Sequence, residues 1–466
     1  MITIDTPNKQ KVKMVAVLIF GAFIMMLTET FFNNALPTII NQYSVSQSIA
    51  QWVSTGYQLV TGLMIPLSAW FFHRFNTKHT FISLLLIFLL GSACGFLASN
   101  FWLLLLGRLI QAIAAGAMIP LIQNVVLVLY PQEKRGFIMG IIGLVIAFGP
   151  ALGPTVGGWI IDNLGLKWLF GILIPLTIIL LVISLFNAKN VNKIDRTQRV
   201  DWLSVVESCL GFGALLYGFS DIGNMGTINF TNGFITIMGL VVLVFFCWRQ
   251  LKLEKPLVNL SVFRNYTFNL TTILSAISNI ALLSVELVLP LYLQRVHGLS
   301  AFQAGLMLLP GAILEGITGP IAGRLYDKFG IKKLSLIGYA IIILGTMPMI
   351  FFTPETNLLL VAGAYAFRII GIATVMMPTF TEGLNALPID LYVHGNAAAS
   401  TARQIAGSLG TAVLMMIIAF GSKHVAGNNL LQAEQLNYGY RYAFLASFIF
   451  ALIGFVLSFW LKSKQQ

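Results

Sequence analysis

Stretches of about twenty apolar residues recur along this chain, and each is long enough to cross the hydrocarbon core of a bilayer as an α-helix. They fall near 14–36, 50–72, 80–99, 102–129, 137–160, 168–187, 202–220, 233–249, 267–291, 302–322, 334–352, 358–383, 396–421 and 441–461. Backbone groups in lipid find no water, so only structures that bond their own N–H and C=O groups are open to such a chain. The expected fold class is all-α, with fourteen membrane-spanning helices. Composition agrees: only 9% of the 466 residues are charged, against roughly 25% in soluble domains.

The excess of positive charge, +12, is read from its placement. Of the 28 lysines and arginines, 21 fall in the tails and loops of one side if the spans alternate. Basic loops stay cytoplasmic, so both termini are expected in the cytoplasm, with anionic headgroups as partners of this charge. Lys9, Lys11 and Lys13 precede an apolar run without a small-residue cleavage site, which reads as an uncleaved first span. No basic stripe with interleaved aromatics is present, so nucleic acid is not an expected partner. Cys94, Cys209 and Cys247 lie scattered in apolar runs and read as packing residues. There is no metal-spaced cluster, no nucleophile–base set and no phosphate loop. The chain therefore reads as neither an enzyme nor an ATPase, and no cofactor is expected. Work done by it must draw on a gradient.

An internal repeat divides the chain. PLSAWFFHRFNTKH (66–79) and PIAGRLYDKFGIKK (320–333) align without a gap, 254 residues apart. Arg108 and Arg368 each lie in the span two after these segments. The organisation predicted is a six-helix bundle over 1–187, two accessory helices with linkers over 188–265, and a second six-helix bundle over 266–466. Such duplication is typical of transporters that rock one half against the other around a central site.

Ionisable residues inside spans are costly and mark pathways or internal pairs. At about 1.5 Å per residue, Glu29 and Arg108 lie at similar depth, roughly 10–12 Å below the outer surface. A carboxylate–guanidinium pair is expected there, either a proton-coupling site or a static link between two helices. Gln111, one turn below Arg108, is placed to bond the same group. Glu286 occupies the repeat counterpart of the first span, nearer the outer end. Glu315 and Arg403 share a depth in the cytoplasmic half and are expected to pair, as a gate or as a structural lock. The proton-coupling candidates are Glu29, Arg108, Glu286 and Glu315. Candidates for the substrate-cavity wall are Asn33, Gln58, Gln111 and Arg368.

Two further motifs carry mechanics. Within 137–160, Gly149, Gly153 and Gly157 recur every four residues, flanked by Pro150, Pro154 and Gly158. One helix face is thus nearly bare, which lets another backbone approach closely. The segment holds no titratable group, so it is expected to gate, closing the contact between the two halves. The basic turn after the tenth span contains Gly323, Arg324, Asp327, Lys328, Gly330 and Lys332. Asp327 there can pair with neighbouring cations or face a helix N-terminus, and is expected to act as an interdomain latch. The first copy has His73 at the matching position.

These residues resemble a known family. GPALGPTVGG (149–158) resembles the antiporter motif of major facilitator drug exporters, and GRLIQAIAAGAMIP (107–120) their fourth-span arginine motif. GRLYDKFGIKK (323–333) is similar to their cytoplasmic-loop motif. LTETFFNNALP (27–37) is similar to the first-span motif of the 14-span drug–proton antiporters of the EmrB/QacA type, with Thr28 at the usual aspartate position and the carboxylate on Glu29. The resemblance implies a major facilitator fold of 6+2+6 helices in a bacterial plasma membrane. It implies proton-coupled export of lipophilic, cationic or neutral compounds by alternating access, with a monomer expected and the oligomeric state left open. The alternative is an exporter of lipids, fatty acids or an anionic metabolite, suggested by the three arginines within spans.

Overall fold

The computed structural model describes residues 8–32, 35–50, 52–192, 201–254, 256–424 and 432–462. Every regular element among them is helical. The long helices are α1 (Asn8–Phe31), α2 (Trp52–Arg74), α3 (Thr77–Phe96), α4 (Phe101–Leu129), α5 (Gln132–Leu164) and α6 (Leu173–Asn187). They continue as α7 (Trp202–Met225), α8 (Phe230–Lys252), α9 (Tyr266–Arg295), α10 (Ala301–Phe329) and α11 (Ile331–Thr346). The last three are α12 (Leu358–Asn385), α13 (Tyr392–His424) and α14 (Gln432–Ser458).

Among the described residues, twelve helices are long and apolar enough to cross a membrane. The expectation was fourteen. The remaining two predicted spans, 50–72 and 137–160, are covered by α2 and α5, which are helices of 23 and 33 residues.

Local chemistry sets the ends. Asn100, Asn265 and Ser300 begin α4, α9 and α10 by accepting hydrogen bonds from the amides of Leu103, Phe268 and Gln303. These caps satisfy donors that a helix start leaves open. Gly330 joins α10 to α11 at φ 76° and ψ 172°, a backbone region open essentially to glycine.

Helices α1–α6 pack mainly among themselves, and so do α9–α14, except that α5 packs most extensively against α10 of the other group. Buried apolar side chains gather in two clusters, one including Leu18, Tyr57, Phe88 and Phe170, the other Tyr292, Tyr339, Phe352 and Phe444. The outside is also apolar: Ile237, Val244, Phe245 and Trp248 of α8 are exposed. That inversion suits a surface solvated by lipid.

Helices α7 and α8 form a hairpin between the two groups, and α7 touches both α2 and α13. The hairpin is clamped at its basic end. Arg249 grips Asp201 with Nε to Oδ2 at 2.8 Å and Nη2 to Oδ1 at 3.0 Å. Gln250 Nε2 donates to Ser204 Oγ at 2.7 Å, while its Oε1 accepts the amides of Leu257 and Val258.

Candidate functional site

Arg108 is fully buried in the middle of the first group of helices. Its guanidinium lies over the rings of Tyr57 and Phe32, at 3.9 and 4.2 Å from their centroids. Nη1 donates to the Thr28 carbonyl oxygen at 3.4 Å and to Gln111 Oε1 at 3.2 Å. Gln111 Nε2 in turn donates to Ser92 Oγ at 2.8 Å. One cation thus joins α1, α2, α3 and α4. Aromatic faces and aligned acceptors are what make a buried guanidinium tolerable.

The expected Glu29–Arg108 ion pair is not formed. A charged pair is formed outside this site, by Arg249 and Asp201. Depth by residue count does not fix azimuth: Arg108 takes the carbonyl of Thr28, and the neighbouring Glu29 follows about 100° further round α1. Glu29 stays within electrostatic range of Arg108 and of Glu286 on α9. Glu286 is in turn within range of Glu315 on α10. Glu286 is thus within range of a carboxylate on each side, Glu29 of the first helix group and Glu315 of its own.

The expected Glu315–Arg403 pair is also absent. Arg403 lies over the ring of Phe380, 5.0 Å from its centroid, so its charge is met by an aromatic face on α12. Arg368, expected on a cavity wall, is instead fully buried as the counterpart of Arg108. Nε donates to Thr346 Oγ1 at 2.9 Å, and Nη2 to the Ala281 carbonyl at 2.6 Å and to Ser447 Oγ at 3.1 Å. Gln111 is likewise committed to Arg108 and Ser92. Of the cavity candidates, Gln58 is exposed, and Asn33 lies outside the described residues.

The glycine face of α5 requires a correction. It does not meet the other helix group; it meets α1. A Cβ on Gly149 would stand 2.8 Å from Met26 Cβ, one on Gly153 would overlap the Thr30 hydroxyl, and one on Gly157 would stand 2.6 Å from the Phe31 carbonyl oxygen. Thr30 Oγ1 donates across this contact to the Gly149 carbonyl at 3.3 Å. The bare stripe seats the segment of α1 that carries Glu29. Gly158 is half-buried beside it; the side chains of Pro150 and Pro154 lie outside the described residues.

Contact between the two groups is made lower on α5, by glycines that the sequence reading passed over. A Cβ on Gly140 would run into the Gly319 carbonyl, and one on Gly323 into the Gly136 carbonyl. Each pair is spaced by four, on α5 and α10 respectively, so two small-residue faces meet backbone to backbone. The signal was present as G-x-x-x-G at 136–140 and 319–323.

At the end of this seam Asp327 faces the first turns of α5. Oδ1 accepts the Gly136 amide at 3.0 Å and Oδ2 the Phe137 amide at 3.1 Å. Arg324 lies over the Phe137 ring at 4.3 Å. Lys328 rests near the ring of Phe329, and Lys332 is half-buried at the start of α11. Around the seam Arg135 Nη1 donates to Asn385 Oδ1 at 2.7 Å and to the Tyr392 hydroxyl at 3.1 Å. Asn396 Nδ2 donates to Asn124 Oδ1 at 2.7 Å and to the Pro120 carbonyl at 3.0 Å. In the first copy of the repeat, His73 stacks on His394 with centroids 5.0 Å apart. The degenerate copy thus also contacts the other group, through rings rather than a carboxylate.

Two helix groups around buried arginines, joined at one end by a glycine seam and a carboxylate latch, define a membrane transporter rather than an enzyme. Residues 18–411 match the Major Facilitator Superfamily, and the chain belongs to that family. It is 36% identical to the lincomycin resistance protein LmrB of Listeria monocytogenes, over 99% of each chain. It is 28% identical to the multidrug export protein EmrB of Escherichia coli, over 87% of this chain and 79% of that one. The proton:xylose symporter XylE superposes with a TM-score of 0.68 over 98% of this chain and 97% of that one, at 13% identity. The protein is a multi-pass protein of the bacterial cell membrane.

Proposed function

We propose that the chain is a proton-coupled exporter of lipophilic, cationic or neutral compounds. It works by alternating access between two six-helix bundles flanking an accessory pair, with fourteen spans and both termini in the cytoplasm. The observation that carries the reading is the position of Glu29 within the span of α1, in electrostatic range of Arg108 in its own half and of Glu286 in the other. A carboxylate so placed senses both the fixed cation and the approach of the opposite half. Protonation of Glu29 discharges it and favours release of a cationic substrate outside; loss of the proton inside restores the site. Coupling needs only that proton and substrate favour different conformations. Glu286 and Glu315 supply carboxylates in the second half.

With the basic turns in the cytoplasm, the latch and glycine seam close the cytoplasmic side, and the described conformation is the one shut to the cell interior. The names of LmrB and EmrB support a drug substrate. The alternative, an exporter of lipids or anionic metabolites, rested on surplus arginine; Arg108 and Arg368 are fully buried and each already donates to protein oxygens, which weakens it. The test is dye efflux from proteoliposomes under an imposed pH gradient. Glu29→Gln is expected to abolish gradient-driven transport while the protein stays folded. Full activity in that variant removes Glu29 from the mechanism.

A further inference from the structure

The accessory helix α7 does more than fill the flank. It lies along the seam between α2 of the first half and α13 of the second. Gly62 on α2 lets it come close: a Cβ there would stand 2.6 Å from Leu216 Cδ1 and 3.8 Å from Gln404 Cγ. Trp52 and Tyr217 stack above this point, 5.8 Å between centroids and 15° from parallel. Where the three helices meet, Thr55 and Gln58 of α2, Ser220 of α7, and Gln404 and Ser408 of α13 surround a cavity of about 30 Å³.

Its chemistry is distinctive. All five polar liners are neutral, and each is a donor and an acceptor. None of their side chains holds a hydrogen bond to another described residue. Lipid offers such groups no partner, and amides within spans normally find one. The volume matches one water-sized group. Gln58 stays exposed at the edge, at roughly 9 Å below the outer end of α2 by helical rise. Polar side chains at that depth face a protein-lined or aqueous space rather than lipid.

We infer that the α2–α7–α13 junction is a neutral polar subsite that takes one hydroxyl or amide group of a transported molecule, with Ser220 of the accessory helix and Gln404 as its recognising residues. The inference rests on the drug-exporter reading and adds a substrate class to it: compounds bearing uncharged hydrogen-bonding groups are held there, and purely lipophilic cations are not. Both halves and α7 supply liners, so the subsite is assembled in one conformation and parted when the halves move.

The test is equilibrium binding to the full chain in lipid nanodiscs, using lincomycin, which carries hydroxyl and amide groups, and tetraphenylphosphonium, which carries neither. Gln404→Leu is expected to weaken lincomycin about tenfold and Ser220→Val severalfold, as loss of a hydrogen bond to a buried partner implies. Tetraphenylphosphonium should stay within about twofold in both variants, which also reports an intact fold. Equal weakening of both ligands overturns the proposal in favour of a packing role for the junction. Unchanged lincomycin binding overturns it while leaving the exporter reading standing. A wild-type chain that binds neither compound overturns the exporter reading and the subsite with it.

Discussion

Asp327 and Gly136 meet across the two halves of the molecule, the carboxylate Oδ1 accepting the glycine amide at 3.0 Å. The second oxygen takes the next amide, that of Phe137. The arrangement sets a negative charge against the positive end of α5, and it needs glycine at 136 because a side chain there would collide with Asp327 and Tyr326. A latch of this kind holds the two halves together by charge, and a glycine seam next to it sets how closely they approach.

Asp327→Asn keeps the shape and removes the charge. A hydrogen bond to a charged group contributes roughly 1.5–3 kcal/mol, so the closed population should fall by about tenfold or more relative to the open one. Spin labels at Lys134 and Phe329, both exposed, should show a longer distance distribution in the variant. An unchanged distribution would mean that the glycine seam and the contacts of Arg135 and Asn396 hold the halves without the latch.

Arg368→Met tests whether the second buried arginine is structural. Its partners are the Ala281 carbonyl, Thr346 and Ser447, all of which lose a donor. An unpaired buried acceptor costs about 1–3 kcal/mol. The expected result is a lower thermal transition with cationic and anionic ligands affected alike. Selective loss of anion binding, measured by titration, would return Arg368 to the substrate path.

The twelve helices long and apolar enough to cross a membrane were legible because bilayer thickness sets the length of an apolar run. Partners were not. The stripe at Gly149, Gly153 and Gly157 announces that a backbone comes close, but nothing in the residues themselves says whether it is α1 or α10. Depth along a helix follows from residue count, while azimuth between helices depends on packing that local sequence does not encode. That is why Glu29 and Arg108, at one level by residue count, form no ion pair, and why Arg403 lies over Phe380 instead of pairing with Glu315.

Acid should loosen the accessory hairpin. The hydrogen bonds from Arg249, with help from Ser204, hold the Asp201 carboxyl below its ordinary value, and partial burial opposes them. A depressed folded-state value means the stabilisation is fully present above the ordinary carboxylate value and is lost as pH falls below it and through the depressed one. Both groups are partly exposed, 31% for Arg249 and 24% for Asp201, so the effect is local and modest. Hydrogen exchange over residues 201–254, corrected for intrinsic rates, should rise between pH 7 and pH 3. Asp201→Asn should show the higher exchange at pH 7 and little further change in acid. Exchange in the wild type that does not respond to acid would mean the Gln250 contacts hold the hairpin alone.

Two single-methyl substitutions on α5 should separate coupling from closure. In Gly153→Ala the new carbon overlaps the Thr30 hydroxyl on α1; in Gly140→Ala it meets the Gly319 carbonyl on α10. Overpacking of this kind costs about 1–3 kcal/mol, and the helix that yields decides the phenotype. Displacing α1 moves Glu29, one residue from Thr30, so Gly153→Ala should alter the pH dependence of substrate binding and leave the Lys134–Phe329 label distance unchanged. Displacing α10 opens the seam, so Gly140→Ala should lengthen that distance and leave the pH dependence close to wild type. If Gly153→Ala instead lengthens the distance, the glycine stripe takes part in closing the halves after all, and its contact with α1 is not its mechanical role.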